Sequence, residues 1–305
     1  MDLFQLETFL TVAQEGSFSR AAKKLYRTQP AVSQTIRKLE DEIGEPLFDR
    51  SSRDGILTDA GRVLQEYARR MLNMRGEAVS AIEELKHLDR GRVVIAANEV
   101  TCLYLLPVLH EYRRRHPMVR IAIRRSLASK IQDELNNHNV ELGLLTFRPE
   151  DPEIKTIVVY RDELVFVVPP THPLASEKEV AIKQLGTEVF IAHNVPSPYR
   201  EKVLETFRKK RVPLHMDVEL PTIEAIKKFV AMENGVALLP GICVEQEIER
   251  GLLVGVSVPE LTFERKLRIV YRKDSALSHA ARAFLQVAES FANKVAGRYV
   301  YQLER

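Results

Sequence analysis

The stretch Phe18-Ser-Arg-Ala-Ala-Lys-Lys-Leu-Tyr-Arg-Thr-Gln-Pro-Ala-Val-Ser-Gln-Thr-Ile-Arg-Lys-Leu-Glu40 decides how the amino-terminal part of this chain folds. It reads as two short amphipathic helices joined by a tight turn. On the second helix Val32, Ile36, Leu39 and Ile43 recur at the spacing of a buried helical face. Pro30, Gln34, Arg37 and Lys38 lie opposite that stripe, with Gln29 and Ser33 on its flank. Thr28 is placed to cap the helix, and Pro30 falls in the first turn, where its missing N–H does no harm. On the preceding helix Phe18, Ala22 and Leu25 face inward and Ser17 is the expected N-cap. Leu6, Phe9, Leu10 and Ala13 supply a third helix that covers both. This is the form of a helix-turn-helix, whose second helix is shaped for a DNA major groove.

Charge supports that reading locally but not globally. Residues 1–58 carry eight Lys and Arg against nine Asp and Glu, and the whole chain has a net charge of +3. The run from Arg20 to Lys38, however, holds six cations and no acid, and phosphate attraction depends on local charge. A small helical bundle with a solvated basic face is the alternative that charge alone leaves open.

Residues 1–60 closely resemble the amino-terminal domain of LysR-type transcriptional regulators. The resemblance rests on Leu6-Glu-Thr-Phe-Leu-Thr-Val-Ala, Gly16-Ser-Phe-Ser-Arg-Ala-Ala, Gln29-Pro-Ala-Val-Ser, Ile36-Arg-Lys-Leu-Glu, Pro46-Leu-Phe-Asp-Arg and Leu57-Thr-Asp-Ala-Gly, in that order. It implies a winged helix-turn-helix over 1–58, with Pro46 to Thr58 as the wing and Arg50 and Arg53 reaching the backbone or minor groove. Gln29, Ser33, Gln34 and Arg37 would then face bases or flanking phosphates. Ser19, Arg20, Arg27, Thr28, Pro30 and Lys38 complete the expected DNA-facing set. Glutamine can pair with adenine and arginine with guanine, each through two hydrogen bonds, which suits such a face to base reading.

Beyond Thr58 the pattern predicts one long helix to about Asp89, within a linker over 59–90. Leu64, Met71, Ala78 and Leu85 repeat every seven residues, as do Tyr67, Met74, Ala81 and Leu88. Filled heptad positions argue for a coiled coil, a rod about 45 Å long that would join two copies. A helix packed on its own domain is the alternative.

From Arg92 onward strands and helices alternate. Apolar runs at Val93–Ala96, Val119–Ile123, Leu142–Leu145, Thr156–Tyr160, Leu164–Val168, Val189–Ala192, Val236–Leu239 and Leu267–Tyr271 read as strands. Helices are expected at Leu105–His116, Pro198–Lys210, Thr222–Asn234 and Ser278–Val295. Such alternation predicts a largely parallel α/β sheet covered on both faces. Leu106-Pro-Val-Leu and Asn234-Gly-Val-Ala-Leu-Leu-Pro resemble the effector domain of the same regulators. That implies a two-lobed fold like a periplasmic solute-binding protein over 91–300, with lobe I near 91–162 and 267–300 and lobe II near 163–266. The crossing strands are expected near Tyr160–Leu164 and Leu261–Lys266.

Ligands of open α/β sheets lie beyond the carboxyl ends of strands, against helix N-termini. This selects Asn98, Val100 and Thr101 after the first strand, Ser129, Thr146, Arg148, Asn194, Ser197, Arg200 and Thr222. Taken alone, each of them reads as a helix cap before a ligand contact. Helix N-termini together with Arg148 or Arg200 favour a small anion such as a carboxylate, while Glu99 would repel one or hold an amine.

Other classes are weighed on the same residues. Cys102 and Cys243 are too few for a disulfide framework or metal site, though a thiol-based redox sensor of this architecture is an alternative, as are two small buried residues. The scattered histidines form no metal or nucleophile–base motif, so no enzyme, metal or cofactor is expected. A solute-binding transport component fits the second half alone. No apolar run nears a membrane span, and Met1-Asp-Leu-Phe-Gln-Leu lacks a basic leader, so a cytoplasmic protein away from membranes is expected. The expected partners are double-stranded DNA, a small-molecule effector, further copies of the chain as a dimer or dimer of dimers, and, by resemblance, RNA polymerase.

Overall fold

A computed structural model describes residues 1–49, 55–86, 91–273 and 277–292. The chain divides into two compact units, Met1–Gly91 with Asp133–Val140, and Arg92–Gln132 with Glu141–Arg305.

In the first unit α1 (Leu3–Glu15), α2 (Phe18–Lys24) and α3 (Gln29–Ile43) enclose a small core. Each helix starts on a side chain that satisfies an otherwise orphaned N–H. Asp2 caps α1, Ser17 accepts from Arg20 N at 3.4 Å, and Thr28 accepts from Ala31 N at 3.4 Å. Gly44 ends α3 at φ 84°, a left-handed conformation that glycine adopts without a side-chain penalty. Leu6, Phe9, Ala22, Val32, Ile36 and Leu39 are buried as their spacing required, Leu10, Ala13, Phe18 and Leu25 are partly buried against the same core, and Val12 joins them. Ile43 departs furthest from the expectation, 38 % exposed in the last turn, where the chain has already turned away at Gly44. Leu47 and Phe48 close the core, and the Phe48 ring stacks against Phe9 and Phe18 at 5.4 and 5.3 Å. The buried Glu40 carboxylate accepts from Leu47 N at 2.8 Å and Phe48 N at 3.3 Å. Phe48 and Leu57 form an antiparallel bridge at the base of the expected wing; Arg50 and Arg53 lie outside the described residues.

The long helix α4 (Asp59–Lys86) begins on Thr58, whose hydroxyl accepts from Gly61 N at 3.0 Å. Its apolar residues divide between two faces. Ala68 is buried in the unit's core and Leu64 and Leu72 pack beside it. Val63, Tyr67, Met71, Met74, Val79 and Ile82 are exposed. The heptad set therefore separates: Leu64 serves its own domain, while Tyr67, Met71 and Met74 face outward. Leu88 lies outside the described residues, as do the side chains of Ala81 and Leu85.

The second unit is two lobes joined by two strands. Its main sheet runs β2 (Val119–Arg125), β1 (Gly91–Ala97), β3 (Leu142–Leu145), β9 (Glu264–Arg272), β4 (Ile154–Val168), β7 (Ala237–Pro240), with β8 (Val254–Val256) also on β4. A separate pair, β5 (Val189–His193) and β6 (His215–Leu220), runs parallel. Helices α5 (Glu99–Arg115) and α10 (His279–Ala292) cover the first lobe, joined by Tyr112 Oη donating to Ala280 O at 2.8 Å. In the second lobe α7 (Pro198–Lys210), α8 (Ile223–Ala231) and α9 (Gly241–Glu249) pack over two apolar cores.

Two expectations need correction. The sheet is mixed rather than largely parallel: β1–β3 is parallel, but β9 is antiparallel to β3 and β4, and β4 is antiparallel to β7 and β8. The reason is that β4 and β9 return through the hinge in opposite senses. The runs at Thr156–Tyr160 and Leu164–Val168 are one strand, β4, of 15 residues. Its polar middle, Arg161-Asp162-Glu163, reads as a break because it is charged, but those residues stand opposite Lys266, Arg265 and Glu264 on β9. Asp162 pairs with Arg265 across the ladder and Arg161 with Glu264 diagonally, which offsets the like charges opposed at Arg161/Lys266 and Glu163/Glu264.

Candidate DNA-reading helix and effector cleft

The outward face of α3 is what a groove-reading surface requires. Gln29, Pro30, Gln34, Arg37 and Lys38 are exposed and Ser33 is half-buried, with Val32, Ile36 and Leu39 anchoring the opposite side. Arg37 and Lys38 have no ion pair among the described residues, so their charge is available to phosphate or base. Ser19, Arg27 and Thr28 are also exposed; the Arg27 guanidinium lies over the Phe4 ring at 5.6 Å. Arg20 is exposed but committed, its Nε donating to Glu15 O at 3.0 Å, and Lys24 pairs with Glu15 at 2.6 Å. One residue escaped the sequence reading: Tyr26, in the turn, is 95 % exposed with φ 55°. It lies between the two helices in a left-handed turn conformation that places it outside the core.

In the second unit a cleft of about 480 Å³ opens between the lobes. Of the expected contacts, Asn98, Val100, Thr146, Ser197 and Arg200 line it. Asn98 and Ser197 are at the same time N-caps, Asn98 Oδ1 accepting from Thr101 N at 2.8 Å and Ser197 Oγ from Arg200 N at 3.1 Å. Ser129, Arg148, Asn194 and Thr222 do not line it. Ser129 is exposed within a 3-10 turn, and Thr222 is spent as the cap of α8, accepting from Ala225 N at 3.2 Å. Thr101 is buried and its hydroxyl accepts from Asn98 N at 3.0 Å in a capping box, so it faces no ligand. Arg200 is not a free cation: it pairs with Glu219 and donates to His193 O at 2.9 Å.

The cleft draws on residues that sequence patterning did not select. Arg125 ends β2 and Ser126 follows it, Tyr199 sits in the first turn of α7, and Arg265 comes from the crossing strand β9. Arg265 is buried at 7 % exposure, its Nη1 3.2 Å from Asp162 Oδ2, and the Tyr104 hydroxyl completes the cluster by bonding Asp162. Its guanidinium lies over the Tyr199 ring at 5.1 Å. Burial pushes the Asp162 carboxyl up, against the pull of Arg265, and pushes Tyr104 well above the usual phenol range. Tyr199 Oη donates to Thr146 O at 3.0 Å, tying α7 of the second lobe to the end of β3 in the first.

Burial raises the Cys102 thiol and raises Cys243 to about 12, opposite to the thiolate character of a redox sensor. Among the described residues no cluster of three His, Cys, Asp or Glu is arranged to hold a metal, and no helix is long and apolar enough to cross a membrane.

Comparison with known proteins bears on both sites. Residues 3–62 match the family described as bacterial regulatory helix-turn-helix protein, lysR family, and residues 86–292 match the LysR substrate binding domain. The chain is 30 % identical over 295 residues to the RuBisCO operon transcriptional regulator of Allochromatium vinosum, covering 97 % of this chain and 98 % of that one. Its fold matches that of CbnR, a full-length LysR-family regulator solved with its target DNA, at a TM-score of 0.73 and 17 % identity, covering 95 % and 99 % of the two chains. The regulatory domain of Synechocystis CcmR, solved with 2-PG, matches at a TM-score of 0.61 and 22 % identity, covering 67 % and 99 %. With an amino-terminal reading helix and a ligand cleft in one chain, and both halves matched in order, this protein belongs to the LysR family of transcriptional regulators.

Proposed function

We propose that α3 enters the major groove of an operator, with Gln29, Ser33, Gln34 and Arg37 toward base edges and Ser19, Arg27, Thr28 and Lys38 toward phosphates. The observation that carries this is the division of α3 into a buried apolar stripe and an exposed polar face without acids over its first three turns. The cleft between the lobes takes a small organic anion, and its occupancy biases one arrangement of the oligomer over another; a ligand without such preference would change nothing. The exposed apolar stripe of α4 is covered by a second copy of the chain, giving a dimer or dimer of dimers that presents two reading helices. The protein acts as a regulator without catalytic activity of its own, in the cytoplasm where the DNA is, and communicates with RNA polymerase. Ligand binding is favoured over thiol oxidation by the raised thiols of Cys102 and Cys243.

The test is nuclease protection of upstream DNA by the full-length protein, with and without candidate metabolites, repeated for Arg37→Ala. A loss of about 1–3 kcal/mol confined to the operator identifies a base contact. Equal loss on all sequences reduces Arg37 to a phosphate contact, and no protected site at all overturns the reading.

A further inference from the structure

The wall of the cleft is divided into two parts of different chemistry. Toward the second lobe it is apolar and deep: Phe190 and Val203 belong to that lobe's buried core, and Leu164, Met216 and Leu238 pack against the same core while lining the cavity. A small polar anion would leave this wall against water. Toward the hinge the wall carries Arg265, whose hydrogen bonds to Asp162 and Tyr104 both leave from Nη1. A guanidinium carries five N–H donors in a fixed fork, so with both of these bonds on Nη1 it retains donors for an acceptor supplied from outside the chain.

The charge count limits what that acceptor can be. Arg125, Arg200 and Arg265 line the cleft together with Glu99, while Glu219 pairs with Arg200 and Asp162 with Arg265. Three cations are balanced by three acids, so the cleft is near neutral and favours a ligand of lower charge over a dianion such as a phosphate ester. A single carboxylate, accepting directly from a guanidinium, is accommodated.

We infer that the effector is an amphipathic monocarboxylate: its carboxylate is bound by Arg265, and its apolar body fills the pocket between Leu164, Phe190, Val203, Met216 and Leu238. This rests on the reading of the cleft as the effector site and narrows the ligand class. Arg265 stands on one of the two strands joining the lobes, so carboxylate binding acts directly on the hinge.

The test uses calorimetric titration of the full-length protein with acetate, butanoate, hexanoate, octanoate and 2-phosphoglycolate. Affinity should rise about fourfold per buried methylene from butanoate to octanoate, and octanoate should exceed 2-phosphoglycolate. Met216→Gln should flatten the chain-length dependence while leaving the shorter acids unaffected. Arg265→Gln, paired with Asp162→Asn to avoid a lone buried carboxylate, should weaken the whole series at least tenfold with the slope retained, its circular dichroism matching wild type. If that double variant does not fold, Met216→Gln alone decides. A flat series, no binding by any member, tighter binding of 2-phosphoglycolate, or wild-type affinity in the Arg265 variant each overturns the inference. If other metabolites still alter the protected DNA, the effector reading survives that failure; if none does, both fall.

Discussion

Asp162 and Arg265 stand directly opposite each other on the two strands that cross between the lobes, and their side chains form a buried ion pair with Nη1 3.2 Å from Oδ2. The pair sits where the lobes hinge, and Tyr104 from α5 and Tyr199 from α7 close on it from either lobe. Removing one partner leaves the other charged and buried. Asp162→Ala is therefore expected to destabilise the second unit by about 3–5 kcal/mol in urea denaturation, with the first unit unaffected. Burial raises the Asp162 pKa above its unfolded value of 3.8, so the folded state holds this proton to higher pH and the group's contribution falls as pH rises beyond 3.8. Asp162→Asn should remove that component of the pH dependence; an unchanged profile would contradict it.

Gly61 explains why the first turn of α4 carries a glycine. A Cβ there would meet Leu47 O at 2.1 Å, a backbone atom that cannot swing aside. Gly61→Ala should cost about 1–3 kcal/mol through overpacking, measured as a lower midpoint for the first unit. Wild-type stability would mean that α4 can shift away from Leu47 at no cost.

Tyr26 holds a left-handed conformation while burying almost nothing, a strain of about 1–2 kcal/mol for a residue with a Cβ. Tyr26→Gly should leave stability unchanged or raise it by up to about 1 kcal/mol, since glycine relieves strain but adds chain entropy. Affinity for random DNA should fall at the same time, as the exposed phenol lies in the turn between the two helices. A destabilised variant with full DNA affinity would reverse both assignments.

On α4, Tyr67, Met71, Met74 and Ile82 leave an apolar stripe open to solvent. Met71→Glu with Met74→Glu places charges in that stripe without touching Leu64 or Ala68. Sedimentation of the double variant should show smaller species than wild type at micromolar concentration, with helix content kept. Identical sedimentation would show that the stripe is not an assembly surface.

Glu111 offers a pH test in the second unit. Arg114 and Arg115 hydrogen-bond its carboxylate at 2.8 and 2.7 Å and lower its pKa to about 2. The folded value lies below the unfolded one, so the stabilisation is present above pH 4.5 and is lost as pH falls from 4.5 toward 2. Glu111→Gln should lessen the loss of stability over that window and leave the neutral range almost unchanged. An acid profile identical to wild type would show the pairs to be solvent-screened.

What the sequence determined by itself was much of what depends on neighbours a few residues away. Ser17, Thr28, Thr58, Asn98 and Ser197 were readable as caps because a cap needs only its own side chain and the next three N–H groups. The buried face of α3 followed from a 3.6-residue period, and the reading face is what that period leaves over. The tertiary structure decided which of these residues share a cavity. Thr101 and Thr222 have the right chemistry and the right place after a strand, yet their hydroxyls are consumed by local bonds. Arg265 entered the cleft through the pairing of β4 with β9, across about 100 residues of chain, and Tyr199 through the first turn of α7 in the second lobe. Periodicity reports which side of an element is buried; it carries no record of which distant element meets it, because that contact is set by the packing of the whole domain.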